Sequence, residues 1–320
     1  MNIFVTGASG FIGSNLCKAL LEAGHTVVAE DINVAYDSSI RQAELKALYP
    51  KFRTTQYDIR RIHTTPIYLD VQFDVVIHLA AIPGVRTSTL NPFEVSSTNI
   101  VGTQSVLEFC RLAKVKHLIM ASSSSVYGDL NISDPFSEEM VLGKPKSVYA
   151  ATKLSNEKMA EVYSDLYGLK ISALRFFTVY GPNGRRDMTT YSFAEKLFTG
   201  EEITLYDNKN LTRDFTYVDD VVRAIKILAF AEPKVKRKLF EIYNIGGTDP
   251  TNIRKHLQLL SHFTGKTPKI KTIETPSTEV IKTHASMEKF FSHYKKINMT
   301  SLEVGLEKFV DWYKIRNTIK

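Results

Sequence analysis

The sequence predicts an α/β protein built on a doubly wound parallel sheet, with a smaller mixed α/β lobe supplied mostly by its C-terminal part. Three observations lead there. Short β-prone runs alternate with helical stretches through the first half. Those runs are continuously apolar rather than alternating, as in strands covered on both faces. The first of them ends in glycines that open a helix, the arrangement of a nucleotide-binding βαβ unit.

In order, Ile3–Thr6 is the first strand and Phe11–Glu22 has helical periodicity. Thr26–Glu30 is the next strand, and Asp74–Leu79 reads as fully buried. Val101–Ala113 is helical, His117–Ala121 returns to strand, and Tyr149–Tyr167 is a long amphipathic helix before the strand Lys170–Arg175. After Phe177 the rhythm breaks at the loop Gly181-Pro182-Asn183-Gly184. Asp219–Phe230 then reads as a helix and Glu241–Ile245 as a strand, followed by a strand-like Lys266–Ile273 and a helical Leu302–Ile315. The expected division is a nucleotide-binding domain over 1–177, rejoined by 218–246, and a substrate lobe made of 178–217 and 247–320. No low-complexity linker or internal repeat separates them, so a cleft between two compact lobes is the expected ligand site.

Composition narrows the function classes. The 320 residues are 43% hydrophobic and 23% charged, ordinary for a globular chain. No apolar run nears the roughly 20 residues that cross a bilayer. The N-terminus lacks a charged leader ahead of a long apolar stretch, and Cys17 and Cys110 are too few for a disulfide framework. A cytoplasmic protein without membrane insertion is expected. The net charge of +7 lies entirely in residues 231–320, with 17 Lys+Arg against 9 Asp+Glu; the first 230 hold 24 and 25. The excess is scattered and carries no nucleic-acid motif, so it reads as a solvated surface and no nucleic-acid partner is expected.

Thr6-Gly7-Ala8-Ser9-Gly10-Phe11-Ile12-Gly13 follows the first strand and opens the first helix. The glycines permit a tight turn and let the backbone approach a pyrophosphate seated on the helix N-terminus. Asp31 ends the second strand 18 residues after Gly13, with Asn33 beside it. A carboxylate there accepts bonds from both adenosine ribose hydroxyls and repels a 2′-phosphate, favouring NAD over NADP. Asp58 and Ile59, after the next strand, are placed to meet the adenine edge. Tyr149 and Lys153 stand at i and i+4 on one helix face. A phenol titrating near 10 is a poor base at neutral pH, but a neighbouring ammonium and a cationic nicotinamide both favour the phenolate. Ser122-Ser123-Ser124-Ser125 follows a strand and supplies a hydroxyl, assigned to Ser123, to hold the substrate oxygen.

With these motifs in hand, the chain resembles the extended short-chain dehydrogenase/reductase family, and within it the NAD-dependent nucleotide-sugar epimerases. The resemblance spans almost the whole chain. It runs through the glycine loop, His78-Leu79-Ala80-Ala81, Asn99, the serine run, Tyr149 and Lys153, and Arg175 to Pro182. It continues through Arg213-Asp214-Phe215 to Asp220 and ends at Tyr243-Asn244-Ile245-Gly246-Gly247. It implies a Rossmann domain and a cofactor site of Gly7, Ser9, Gly10, Phe11, Ile12, Gly13, Asp31, Asn33, Asp58, Ile59, Leu79, Ala80, Ala81, Asn99, Tyr149 and Lys153. It also implies a homodimer, a UDP-sugar substrate and a role in polysaccharide biosynthesis. The implied first step takes the C4 hydroxyl proton to Tyr149 and the C4 hydride to NAD, giving a 4-ketosugar.

Relatives that dehydrate this intermediate carry an Asp-Glu pair in the serine loop, and nucleotide-sugar decarboxylases keep a Glu there. This chain has Ser124 and Ser125. Hydride return to the opposite face of C4 needs the least additional chemistry. Gly84-Val85-Arg86-Thr87-Ser88 and Gly181 to Met188 resemble the branch that interconverts UDP-glucuronate and UDP-galacturonate. Ser124, Ser125 and Thr178 are then expected around a C6 carboxylate, with Arg185 supplying a charge-assisted bond. Arg213 resembles the family arginine that binds the UDP pyrophosphate, and Arg86 is open between substrate contact and a structural ion pair. His78 is expected to be packed. Departures from the family pattern are Asn183 for Trp, Arg186 for Pro, and Glu279-Val280 for Gly-Asp-Val. The alternatives are a 4-epimerase of a neutral or N-acetylated UDP-hexose, a UDP-glucuronate decarboxylase, and a non-catalytic NAD-binding regulator.

Overall fold

The computed structural model describes residues 1–33, 37–50, 52–65, 71–128, 130, 132–276 and 279–318. Its strands are β1 (Asn2–Thr6), β2 (Thr26–Glu30), β3 (Arg53–Thr55), β4 (Val75–His78), β5 (His117–Ser123) and β6 (Lys170–Phe176). They continue with β7 (Thr178–Tyr180), β8 (Glu202–Tyr206), β9 (Thr212–Tyr217), β10 (Phe240–Ile245), β11 (Pro250–Asn252) and β12 (Lys269–Ile273). Seven strands form one sheet in the order β10-β6-β5-β4-β1-β2-β3. Every pairing in it is parallel. Strand order reverses between β1 and β4, which opens a crevice beyond their C-terminal ends.

The buried strands explain the continuous apolar runs. β4 is buried throughout and β6 at all positions after Lys170. On one face, Leu16 and Leu20 of the helix Phe11–Glu22 pack with Val221 and Ile225 of the helix Val218–Phe230. On the other, Val106 and Phe109 of Gly102–Leu112 and Ala160 of Val148–Tyr167 cover Phe4, Val76 and Ile171. The helix expected from Val101 begins at Gly102, after a wider π turn over Ser97–Val101.

A second core gathers Tyr191, Phe193, Leu205, Phe215, Leu257, Leu306, Phe309 and Tyr313 around two small sheets, β11-β9-β7 and β12-β8. Met287, Phe290, Tyr294 and Ile297 depart from the simple division, because they lie in the first core and not in this one. Tyr243 on β10 meets the Phe290 ring edge-on at 5.9 Å, which fastens the C-terminal segment under the large sheet. Among the described residues no helix is long and apolar enough to cross a membrane.

Candidate active site

β1 runs into the glycine turn at the point where strand order reverses. Gly7 has φ +70°, and a Cβ there would lie 2.6 Å from Ala80 N, so the loops after β1 and β4 meet only because residue 7 has no side chain. A Cβ on Gly13 would lie 2.0 Å from Gly7 O, which ties the turn closely onto the first helix. That helix starts with no side-chain cap, and Gly10, Phe11, Ile12 and Gly13 line the crevice, leaving its N–H groups for an anion. Asp31 is held rigidly at the tip of β2: Ser9 N donates to Oδ2 at 2.9 Å and Asn33 N to Oδ1 at 2.8 Å. Asp58 accepts from Arg60 N at 2.9 Å and pairs with the Arg60 guanidinium at 2.5 Å, and that hydrogen-bonded pair holds its carboxyl below the usual range. Ile59 lies against Gly102, where a Cβ would come within 2.5 Å of its Cδ1. This donor and acceptor set fits a dinucleotide whose adenosine end reaches β2 and β3.

The groups expected to react sit at the ends of β5 and of the helix Val148–Tyr167, which Ser147 caps by accepting from Ala150 N at 3.1 Å. Lys153 is buried, donates to Ala121 O at 2.9 Å, and holds its ammonium 5.9 Å from the centre of the Tyr149 ring. Burial pulls its pKa down to about 8, with the Glu157 carboxylate opposing the shift. Burial pushes the Tyr149 phenol up, while a Ser123 hydrogen bond and the Arg185 charge oppose that. In the protein alone Tyr149 is therefore a neutral phenol, and further positive charge at the site is needed to make it a base. Ser123 accepts from Ser125 N at 3.1 Å and from Ser125 Oγ at 2.9 Å, so its oxygen is placed and not free to swing.

Beneath these groups lies a buried polar support. Glu157, one further turn along the Tyr149–Lys153 face, accepts from Ser122 Oγ at 2.6 Å and from Arg175 at 2.9 and 2.8 Å. Arg175 also lies 4.8 Å over the Tyr127 ring. Helix, β5 and β6 are thereby locked together directly under Lys153.

The second lobe closes the other wall. Thr178 starts β7 and lines the cleft with Ser124 and Ser125. Arg185 lines it too, and its Nε and Nη2 donate to Asp187 at 3.0 and 2.5 Å. That pair uses two of five guanidinium N–H groups. Arg213 on β9 donates from Nη1 to Thr212 O at 2.8 Å and Ile281 O at 3.2 Å, and from Nη2 to Glu279. Arg86 is exposed and reaches Tyr206 Oη at 3.2 Å, spanning the cleft from one lobe to the other. The space enclosed is about 1460 Å³. A single small-molecule site measures roughly 300–1,000 Å³, so two large ligands are accommodated end to end.

Three expected cofactor residues stand behind the surface instead of on it. Ser9 is buried and works through its backbone, its N–H on Asp31 and its carbonyl accepting from Arg41 Nε at 2.8 Å. Asn33 has φ +56°, and its side chain donates to Gln42 Oε1 at 3.1 Å, so it buttresses Asp31. Asn99 projects from the π turn, accepts from Ile82 N at 2.8 Å and donates to Ile82 O and Thr152 Oγ1, each at 3.1 Å. It pins the loop after β4 to the helix Val148–Tyr167. All the other expected site residues line the cleft. His78 is packed as expected: it bonds Thr6 Oγ1 at 2.7 Å and Thr103 Oγ1 at 3.1 Å, and burial pulls its pKa to about 3.

Arg41 and Arg254 escaped sequence reasoning although both line the cleft. Arg41 is held among Asp37, Asp31 and Glu44, with the Arg316 charge also close by. Arg254 follows the helix cap Asn252, which accepts from its backbone N at 2.9 Å. That cap was the one local signal available for it.

Comparison with known proteins places this architecture. Residues 3–246 match the model of the NAD dependent epimerase/dehydratase family. UDP-glucuronate 4-epimerase 1 of Arabidopsis thaliana is 38% identical over 329 residues, covering 98% of this chain and 76% of that one. The crystal structure of UDP-glucuronic acid 4-epimerase from Bacillus cereus, in complex with UDP-glucuronic acid and NAD, superposes with a TM-score of 0.88 at 34% identity, covering 99% of this chain and 100% of that one. UDP-glucose 4-epimerase from Thermotoga maritima, with UDP-glucose, gives 0.87 at 29% identity and full coverage of both chains (100% each).

Proposed function

Since the chain belongs to the NAD dependent epimerase/dehydratase family, we propose that it interconverts UDP-glucuronate and UDP-galacturonate as a nucleotide-sugar 4-epimerase. The carrying observation is a single cleft that joins a dinucleotide cradle, the Tyr149–Lys153–Ser123 cluster and a wall of hydroxyls with Arg185. Gly7, Gly10 to Gly13, Asp31, Asp58, Ile59 and Leu79 to Ala81 hold NAD, with Tyr149 and Lys153 at its reactive end. Bound there, NAD supplies the hydride acceptor for oxidation at C4 and the donor for the return.

Tyr149 takes the C4 hydroxyl proton and gives it back after the sugar has presented its other face. Lys153 stabilises the phenolate through its charge, and Ser123 holds the C4 oxygen. Arg213 binds the diphosphate, with Arg86 beside the substrate. Residues 178–217 and most of 247–320 act as the substrate lobe.

Ser124, Ser125, Thr178 and Arg185 receive the C6 carboxylate. Their side chains come from the end of β5 and from β7 and the loop after it, neighbouring segments, since Ser123 pairs with Phe176, that line the same cleft. A 4-ketouronate is a β-keto acid that loses CO2 when the C5–C6 bond aligns with the ketone, and a clamped carboxylate resists that alignment. The serines at 124 and 125 carry no carboxylate for elimination, which disfavours dehydration.

The enzyme is further taken to be cytoplasmic, with Cys17 and Cys110 as free, buried thiols. It is taken to be a homodimer, whose interface would cover the exposed Leu90, Phe93, Val162 and Leu166 beside and on the catalytic helix.

The test is product analysis by NMR after incubation with UDP-glucuronate, UDP-glucose and UDP-N-acetylglucosamine. Epimerisation of the uronate alone is expected. Turnover of UDP-glucose at an equal rate would refute the uronate assignment, and a UDP-pentose would show a decarboxylase. For the clamp, Thr178→Ala with Arg185→Ala should cut uronate turnover and raise CO2 release; no change in either would refute it.

A further inference from the structure

Arg213 already commits three of its five guanidinium N–H groups before any nucleotide arrives, and their partners differ in kind. The Nη1 edge is held by two backbone carbonyls, Thr212 O at 2.8 Å and Ile281 O at 3.2 Å. Those carbonyls cannot leave without unzipping the chain. Thr212 N donates to Ile281 O at 3.0 Å, Thr283 N to Thr212 O at 3.3 Å, and Asp214 N to Thr283 Oγ1 at 3.1 Å. Buried Asp214 in turn accepts from Ala285 N at 2.8 Å. Among the described residues, the Nη2 edge meets a side chain, the Glu279 carboxylate, which stands just ahead of this anchored stretch. Arg213 is 15% and Glu279 29% exposed, and both line the cleft.

One edge of the guanidinium is therefore fixed in plane, while the acceptor on the other can leave by rotation about its own side-chain bonds. We propose that Glu279 is the counter-ion that the substrate's diphosphate displaces from Arg213, and that it thereby sets how tightly UDP-sugars bind and how readily product leaves. This rests on the reading of Arg213 as the diphosphate ligand. A diphosphate carries more charge than a carboxylate and more acceptor oxygens, so it wins the exchange. Its advantage is reduced by the pair it must break and by repulsion from the displaced carboxylate. Ground-state binding weakened in this way favours release of a nucleotide that would otherwise be held too long.

The experiment is calorimetric titration of the purified protein with UDP and, separately, with uridine. Glu279→Gln should lower the UDP Kd about fivefold or more, the scale of a partly desolvated ion pair, and leave the uridine Kd unchanged. Glu279→Asp, one methylene shorter, should shift UDP in the same direction and guards against misfolding of the first variant. Arg213→Lys should weaken UDP. An unchanged or raised UDP Kd in both Glu279 variants would overturn the proposal, showing that Glu279 orients Arg213 for binding instead of competing. An equal gain for uridine would overturn it too. If Arg213→Lys leaves UDP binding unaltered, the diphosphate reading itself fails.

Discussion

Replacing Glu157 by glutamine separates the structural from the chemical role of the buried support. The Glu157 and Arg175 side chains are 2% and 3% exposed and joined at 2.8 Å. Removing one charge of such a pair costs about 3–5 kcal/mol, because the other is left uncompensated. The amide oxygen still accepts from Ser122 and Arg175, so the lower end, about 3 kcal/mol, is expected. Against a typical stability of about 5–15 kcal/mol the variant remains folded, with a lower urea midpoint. The chemical effect is independent of this. Glu157 opposes the burial that pulls Lys153 to about 8, so without it the lysine pKa falls further. Lysine charge is present below its pKa and lost as pH rises through it. The alkaline limb of kcat against pH therefore moves to lower pH, by roughly one unit for each 1.36 kcal/mol of lost interaction. Epimer formation would be followed by NMR across pH 6 to 10 (a range of about four units, wide enough to show both limbs). Glu157→Gln with Arg175→Met removes the stranded cation and should recover stability while the limb stays displaced. A folded Glu157→Gln enzyme with an unmoved alkaline limb would refute the reasoning.

Tyr149→Phe should lower turnover about 10²–10⁴-fold, the usual worth of a general base, while NAD affinity measured by titration stays unchanged; retention of most activity would exclude the phenol as the base. Asp31→Ser removes the acceptor that holds Ser9 N and Asn33 N. NAD affinity should drop and the preference over NADP should shrink, measured by titration with both dinucleotides; an unchanged ratio would show that Asp31 does not read the ribose.

Much of the first domain was legible because its signals are local. Continuous apolar strands, the 3.6-residue period of Phe11–Glu22 and Val148–Tyr167, and the glycine turn each depend on neighbours within one or two turns of chain. Short or uncapped elements in both parts of the chain were less legible. β3, β7 and β11 are three residues each, too short for any period to show. The helix Ser38–Leu48 begins at Asp37 in a left-handed conformation without a side-chain cap, so its start carries no ordinary signal. β12 lies within the strand-like stretch Lys266–Ile273, but it is exposed at every position, and its partner β8 lies far away in sequence.

Sequence alone determined which chemistry the molecule carries: the residue types of the glycine turn, Asp31, the serine run and the Tyr149–Lys153 spacing admit little else. Only the tertiary structure decided the state of those groups. It put Asn99 behind the wall as a clamp, closed Asp187 onto Arg185 and Glu279 onto Arg213, and drew Phe290 back under the large sheet. Arg213 and Glu279 are separated by 66 residues and Arg175 and Glu157 by 18. Charge pairing depends on distances of a few ångström. Local pattern selects the elements, but those distances exist only once the elements have packed.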